Sequence, residues 1–333
     1  MTRAAVVTGF GSWVPPRIVS NAELSARLAT SDDWIRTRTG IRERRVVDPG
    51  TSTSDLAAEA GRRALKSGGD VPVDAVVLAT TTPDYLCPGT APEVASRLGH
   101  SGVAALDVGA VCTGFIYALA TGAGLISIGS AERVLVIGAD TFSTIIDPND
   151  RTTTAIFGDG AGAVVLRAGD RAEPGALGPF DLGSDGELAG LITIPAGGSR
   201  QRSTGGPVPS SDHYFRMQGK PVFENAVLRM AESAHQALYR AGWRVDQVDR
   251  FVGHQANARI LRVLAEKIGI PPDRIVCNIA TVGNTAAASI PLALADAARD
   301  GGLRAGHRVL LTAFGGGLTW GSTTLTWPDI TTM

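Results

Sequence analysis

Two pairs of segments in this 333-residue chain repeat at one fixed spacing, and that spacing limits the possible folds more than any composition does. VDRFVGH at 248–254 answers VDAVVLA at 73–79, a shift of 175 residues (248 minus 73). RVLLTAF at 308–314 answers RVLVIGA at 133–139, again a shift of 175 (308 minus 133). All four are short apolar runs of the kind that form strands buried on both faces. Helical patterns lie between them. Leu56, Ala60 and Ala64 make one stripe over 53–67, and the segment 222–242 ends in ALYRAGW much as 53–67 runs on into RALKSGG. Helices at 258–269 and before Gly99 end alike, in Ile-Gly and Leu-Gly. Strands and helices alternating twice over imply an α/β protein of two similar units, not a solenoid of short repeats. The expected halves are 1–170 and 171–333.

The stretch from Val103 to Gly129 carries the first chemical signal. An apolar strand reaches a small-residue corner at 108–111, and an uncharged helix is expected to leave directly after Cys112. A helix N-terminus, with unpaired N–H groups and aligned dipoles, favours thiolate over thiol, so Cys112 is expected to be a nucleophile of depressed pKa. A lone cysteine among apolar neighbours is equally often an inert small hydrophobe. No charged residue occurs from Val108 to Ala131, yet the glycines, threonines and serines there point to a buried helix and not a membrane span.

Composition narrows the remaining classes. Lys+Arg is 31 and Asp+Glu 32, a net charge of -1 that gives no basic excess for nucleic acid. Cys87, Cys112 and Cys277 are odd in number and lack CxxC spacing, which argues against a disulfide framework or a zinc site and fits the cytoplasm. The first residues, MTRAAVVTGFGSWVPP, read as a strand entering a Gly and Pro turn, without the long apolar core of a signal peptide. Gly158, Gly160 and Gly162 imitate a dinucleotide loop, but a strand follows them where a helix should begin. The polar segment 197–212 reads as a surface loop. In 30–40, TSDDWIRTRTG, an indole among guanidinium groups can clamp a flat base and its phosphates, or can simply be a half-buried surface Trp.

If the halves pack about a pseudo-twofold axis, equivalent strand ends meet near the centre, where α/β folds bind ligands. His254 ends the strand matching 73–79, and Asn284 lies at the corner equivalent to that of Cys112, so the three are expected to converge. Cys, His and Asn together leave two chemistries open. In a cysteine hydrolase, His is the base for the thiol and Asn orients it. In a condensing enzyme, Cys carries an acyl group while His and Asn donate to the oxygen of an enolate formed by loss of CO2 from a malonyl thioester.

Six motifs in one order, TSDDWIRTRTGIRERR, AVCTGFIYAL, IFGDGAGAVVL, GHQANARI, GNTAAASIPLAL and AFGGGLTWGS, resemble β-ketoacyl-ACP synthase III, a condensing enzyme of thiolase-type fold. The resemblance implies two similar α/β halves in a layered αβαβα arrangement, and a decarboxylating Claisen condensation of an acyl-CoA primer with malonyl-ACP. Cys112 would be the acylated nucleophile, His254 and Asn284 the decarboxylation pair, and the amides of Cys112 and Gly316 the oxyanion hole. Trp34 and Arg151 would sandwich the coenzyme A adenine, with Thr30 and Arg38 beside them, and Arg259 and Arg262 would dock the acyl carrier protein. No metal and no cofactor beyond the coenzyme A thioester is implied, and a homodimer is. An Asn at 284 separates the chain from thiolases, which use a second Cys, and from elongating synthases, which use two His. Cys87, in LCPGTAP, replaces the Phe with which acetyl-specific relatives close the partner's acyl pocket, so a primer longer or more branched than acetyl is expected. Thr113, where a smaller residue is common, leaves the same question open. The alternative is a specialised starter-unit ketosynthase or acyltransferase of a secondary pathway with the same acyl-Cys intermediate, and a further rival is a non-catalytic binding or scaffold protein that keeps the fold.

Overall fold

Nine core strands and six core helices follow the repeat almost element for element in a computed structural model that describes residues 3–333. The strands are β1 (Ala4–Trp13), β2 (Ala75–Ala79), β3 (Ala104–Val108), β4 (Arg133–Asp140), β5 (Gly160–Gly169), β6 (Asp181–Ser184), β7 (Arg250–Gly253), β8 (Arg308–Gly315) and β9 (Thr319–Thr326). The helices are α1 (Thr53–Ser67), α2 (Ala91–Arg97), α3 (Gly114–Ser127), α4 (Gly219–Ala241), α5 (Ala258–Ile268) and α6 (Ser289–Arg299). One sheet runs β1-β5-β4-β2-β3 and the other β6-β9-β8-β7, so sheet membership changes between Gly169 and Asp181. In each sheet the repeated strands β2 and β4, or β7 and β8, pair in parallel. The second sheet keeps four of the five positions. Where β3 has its counterpart, a single parallel bridge joins Phe251 to Ile275.

Helices α3 and α6 lie between the sheets, each touching strands of both, whereas α1 and α2 cover the first sheet and α4 and α5 the second. That gives five layers, αβαβα. The outer helices are amphipathic and properly ended. Ser52 and Asp55 form a capping box at α1, Asn257 accepts from the N–H of Arg259 at 2.8 Å to cap α5, and left-handed glycines Gly242 and Gly269 close α4 and α5. The inner helix α3 carries no charge because both of its faces are covered. It is 14 residues long, and no helix among the described residues is long and apolar enough to cross a membrane.

Expected boundaries shifted by a few residues where capping or pairing decided them. The strand expected at 73–79 pairs only over Ala75–Ala79, and a short 3-10 turn, Val111–Thr113, precedes α3, which therefore starts two residues after Cys112. Within the polar segment 197–212 the chain makes one helical turn at Ser199–Arg202 and a 3-10 turn at Ser210–His213. Its flanks, Ile192–Thr193 and Arg216–Met217, pair as a small antiparallel ribbon.

Candidate active site

The two halves meet at their corners. Val111 and Ala286 are non-glycine residues in left-handed backbone, with φ of 46° and 47°, and they stand 175 apart (286 minus 111). Such conformations cost of order 1–3 kcal/mol and persist where surrounding structure enforces them. Small residues permit the close approach. A Cβ on Gly114 would sit 2.9 Å from the Ala79 Cβ, and one on Gly138 would sit 2.5 Å from the Ala287 carbonyl oxygen. Asp140, at the end of β4, ties the corners together, since its carboxylate accepts from the N–H groups of Thr81 (2.7 Å) and Ala287 (2.9 Å) and from the hydroxyls of Thr80 and Thr82.

Cys112, His254 and Asn284 all line one cavity of about 100 Å³, so the structure does bring them together. His254 follows β7 and anchors its N–H on Thr312 at 2.9 Å, while its Nδ1 lies 2.6 Å from the Ser289 hydroxyl. Asn284 is held through its main chain by Ile156 and Gly158, and its Oδ1 accepts from the N–H of Ala286 at 3.0 Å. That fixes the amide flip and leaves Nδ2, which has no partner among the described residues, as the cavity-facing donor. Apart from Asn257, the rest of the wall is apolar, with Ile156, Phe157, Ile192, Phe215, Met217 and Phe314 among its residues.

Electrostatics departs from the expectation at Cys112. Burial, followed by the nearby Asp140 carboxylate, pushes its thiol well up, and the hydrogen bond to its own N–H offsets only part of this. A dry site beside an anion outweighs the helix N-terminus, so the unliganded protein holds a thiol and not a thiolate. Burial lowers His254 to about 3, leaving a neutral imidazole, and raises Asp140 to about 7.

Outside the cavity, Trp34 sits on the helix Asp32–Thr39 with the guanidinium of Arg38 at 4.6 Å and that of Arg151 at 5.3 Å from its ring centre. Thr30, two residues before that helix, keeps a buried hydroxyl without a partner. The cluster abuts the cavity through Asn257, a wall residue whose Nδ2 donates to the Arg38 carbonyl at 2.9 Å. Arg259 and Arg262 are exposed on α5. Gly315 is a wall residue and Gly316 follows it; a Cβ at 315 would come within 2.9 Å of the Cys112 nitrogen. Cys87 is exposed and does not line its own chain's cavity. Sequence reasoning missed Asp140, Ser289, Ile192, Phe215 and Met217. The last three flank the polar loop, where their apolar character was the available signal.

Comparison with known proteins places the whole chain among relatives of one family. The family profile described as 3-oxoacyl-[acyl-carrier-protein] synthase III matches residues 106–186, and that of its C-terminal part matches 238–327. The chain is 62% identical over 332 residues, 99% of each sequence, to the β-ketoacyl-[acyl-carrier-protein] synthase III 3 of Streptomyces coelicolor. It superposes on the crystal structure of 3-oxoacyl-(acyl carrier protein) synthase III from Pseudomonas aeruginosa with a TM-score of 0.93 at 52% identity, covering 99% of this chain and 100% of that one. On the priming β-ketosynthase of a polyketide biosynthetic pathway it superposes with a TM-score of 0.91 at 35% identity, covering 98% and 97%.

Proposed function

The chain belongs to the β-ketoacyl-[acyl-carrier-protein] synthase III family, and on that footing we propose which of its residues carry out the condensation. The enzyme is a condensing acyltransferase, and its reaction draws on thioester substrates alone. The Cys112 sulfur attacks the acyl-CoA carbonyl, and coenzyme A leaves with the thiol proton. Trp34, Arg38, Arg151 and Thr30 hold the nucleotide end of the coenzyme at the mouth, and Arg259 and Arg262 receive the carrier protein that brings the malonyl group. The malonyl C–C bond then breaks, CO2 departs, and the electron pair comes to rest on the thioester oxygen as an enolate. His254 and the Asn284 Nδ2 donate to that oxygen. The enolate carbon attacks the acyl carbon, whose developing oxyanion is met by the amides of Cys112 and Gly316. Collapse expels the Cys112 thiolate, which takes up a proton, and a 3-oxoacyl chain two carbons longer leaves on the carrier.

The observation that carries this reading is the pair of uncharged side chains, a neutral imidazole and an oriented carboxamide, lining one apolar cavity with the nucleophile. Two neutral donors favour a nascent enolate without forming a fixed ion pair with the malonyl carboxylate that must be lost. Replacing His254 or Asn284 by Ala should abolish malonyl decarboxylation while intact-protein mass still records acylation of Cys112. Decarboxylation that survives either change refutes the assignment.

The protein acts as a homodimer in this reading. The edge strand β3 exposes Leu106, and the neighbouring loop exposes Tyr85 and Leu86. Cys87 on that loop reaches the partner's acyl pocket, where a thiol in place of a ring leaves room for primers longer or more branched than acetyl. Turnover of acetyl-CoA against four- to eight-carbon primers tests this, and a strong acetyl preference defeats it. The enzyme works in the cytoplasm. The alternative role, starter-unit ketosynthase, has the 35% identity to the polyketide priming enzyme as its support, and analysis of which carrier protein accepts the product distinguishes it from fatty-acid initiation.

A further inference from the structure

We infer that Ser289 is a positioning residue: its hydroxyl donates to Nδ1 of His254 and thereby holds the imidazole in the tautomer that carries its proton on Nε2. Ser289 is 1% and His254 3% exposed, so neither can satisfy its polar atoms from bulk water. The Ser289 oxygen lies 2.6 Å from Nδ1 and 3.3 Å from the main-chain N–H of Gln255, and it has no other partner among the described residues. The Gln255 N–H is a donor and occupies a lone pair of that oxygen. The hydroxyl hydrogen is then left with one acceptor within reach, the lone pair of Nδ1. The opposite tautomer would strand the hydroxyl hydrogen in a dry site, which costs about 1–3 kcal/mol. Gln255 is itself held fast, with Nε2 donating to the carbonyls of Gly253 (2.8 Å) and Val276 (3.2 Å) and Oε1 accepting from Asn278.

The internal repeat gives this pair its origin. His254 stands 175 residues after Ala79 and Ser289 stands 175 after Gly114. In the first half those two positions make a tight apolar contact, with a Cβ on Gly114 only 2.9 Å from that of Ala79. In the second half the same pair of positions makes a hydrogen bond. One copy is spent on close packing and the other on fixing a proton.

A chemical consequence follows within the reaction proposed above, on which this inference rests. With Nε2 protonated and Nδ1 occupied, His254 has no free lone pair facing Cys112. It serves the enolate as a donor and does not take the thiol proton, so the acylation and decarboxylation steps depend on Ser289 differently.

Nitrogen NMR of the protein labelled at its 5 histidines, with His254→Ala for assignment, reads the tautomer directly. A proton on Nε2 and none on Nδ1 is expected, and a proton on Nδ1 overturns the inference. In Ser289→Ala, kcat for malonyl-ACP decarboxylation should fall about tenfold or more, while KM and the rate of Cys112 acylation stay within about twofold. Ser289→Thr, which keeps the hydroxyl, should recover most of the loss. Unchanged decarboxylation, or equal losses in both steps, overturns it. If His254→Ala itself leaves decarboxylation intact, the condensation roles fail, while the NMR result still decides the tautomer.

Discussion

Two buried groups in the cavity region should pull the stability of this protein in opposite directions over the same pH range. His254 is lowered from 6.5 to about 3, so its contribution is fully present above pH 6.5 and is lost as pH falls toward 3. Asp140 is raised from 3.8 to about 7, so its contribution is present below pH 3.8 and is lost as pH rises through 7. One pKa unit corresponds to about 1.4 kcal/mol, so between pH 7 and pH 4 the imidazole withdraws about 3 kcal/mol while the carboxyl adds about 3 kcal/mol. In the native protein the two act against each other. Removing either should expose the other. Relative to the native protein, His254→Ala should gain about 3 kcal/mol of unfolding free energy between pH 7 and pH 4, and Asp140→Asn should lose about the same amount. Urea unfolding at four pH values, referenced at each pH to the unsubstituted protein, measures both slopes, and the double variant should again run parallel to the native curve. Two single variants that both track the native protein across this range would refute the argument.

Other outcomes follow from the same geometry. Gly315→Ala places a Cβ 2.9 Å from the Cys112 nitrogen and should slow acylation about 100-fold by displacing the nucleophile, with stopped-flow thioester exchange as the measure. Trp34→Ala should raise KM for acyl-CoA about tenfold, the loss of about 1.4 kcal/mol, and leave the rate with short thioesters that lack the nucleotide unchanged. Phe142→Ala dismantles the ring cluster in which Phe142 stacks on Phe157 at 4.2 Å and meets Phe215 edge-on at 5.0 Å. It should cost about 3–5 kcal/mol in chemical denaturation.

Much of this architecture is legible before any coordinates, because a repeat at constant spacing is long-range information written locally. The meeting of Cys112 with His254 follows from the repeat, as do the ends of the helices at Gly242 and Gly269. The thiol of Cys112 was misjudged for a different reason. A helix N-terminus is visible in the sequence, but the dryness of the site and the approach of Asp140, which lies 28 residues along the chain (140 minus 112), are products of packing. Phe215 and Met217 escaped notice because their polar neighbours at 197–212 dominated the local pattern, whereas in space they turn inward against Ile192. Ser289 was invisible as a partner of His254, since nothing in AASIP distinguishes a hydroxyl that satisfies a helix end from one that holds an imidazole.

The inequality between the two sheets also bears on assembly. Strand β1 is lined along its outer side by Leu177 and Met333, which hydrogen-bond to Ala5 and Phe10, and β7 is stopped by Val276 on Phe251. Among the described residues strand β3 has no such cover, and two chains joined symmetrically along it would use up that edge in both members at once. In the homodimer proposed above, growth by this route would halt at a pair, and an open strand closed in that way would be protected from polymerising into fibres.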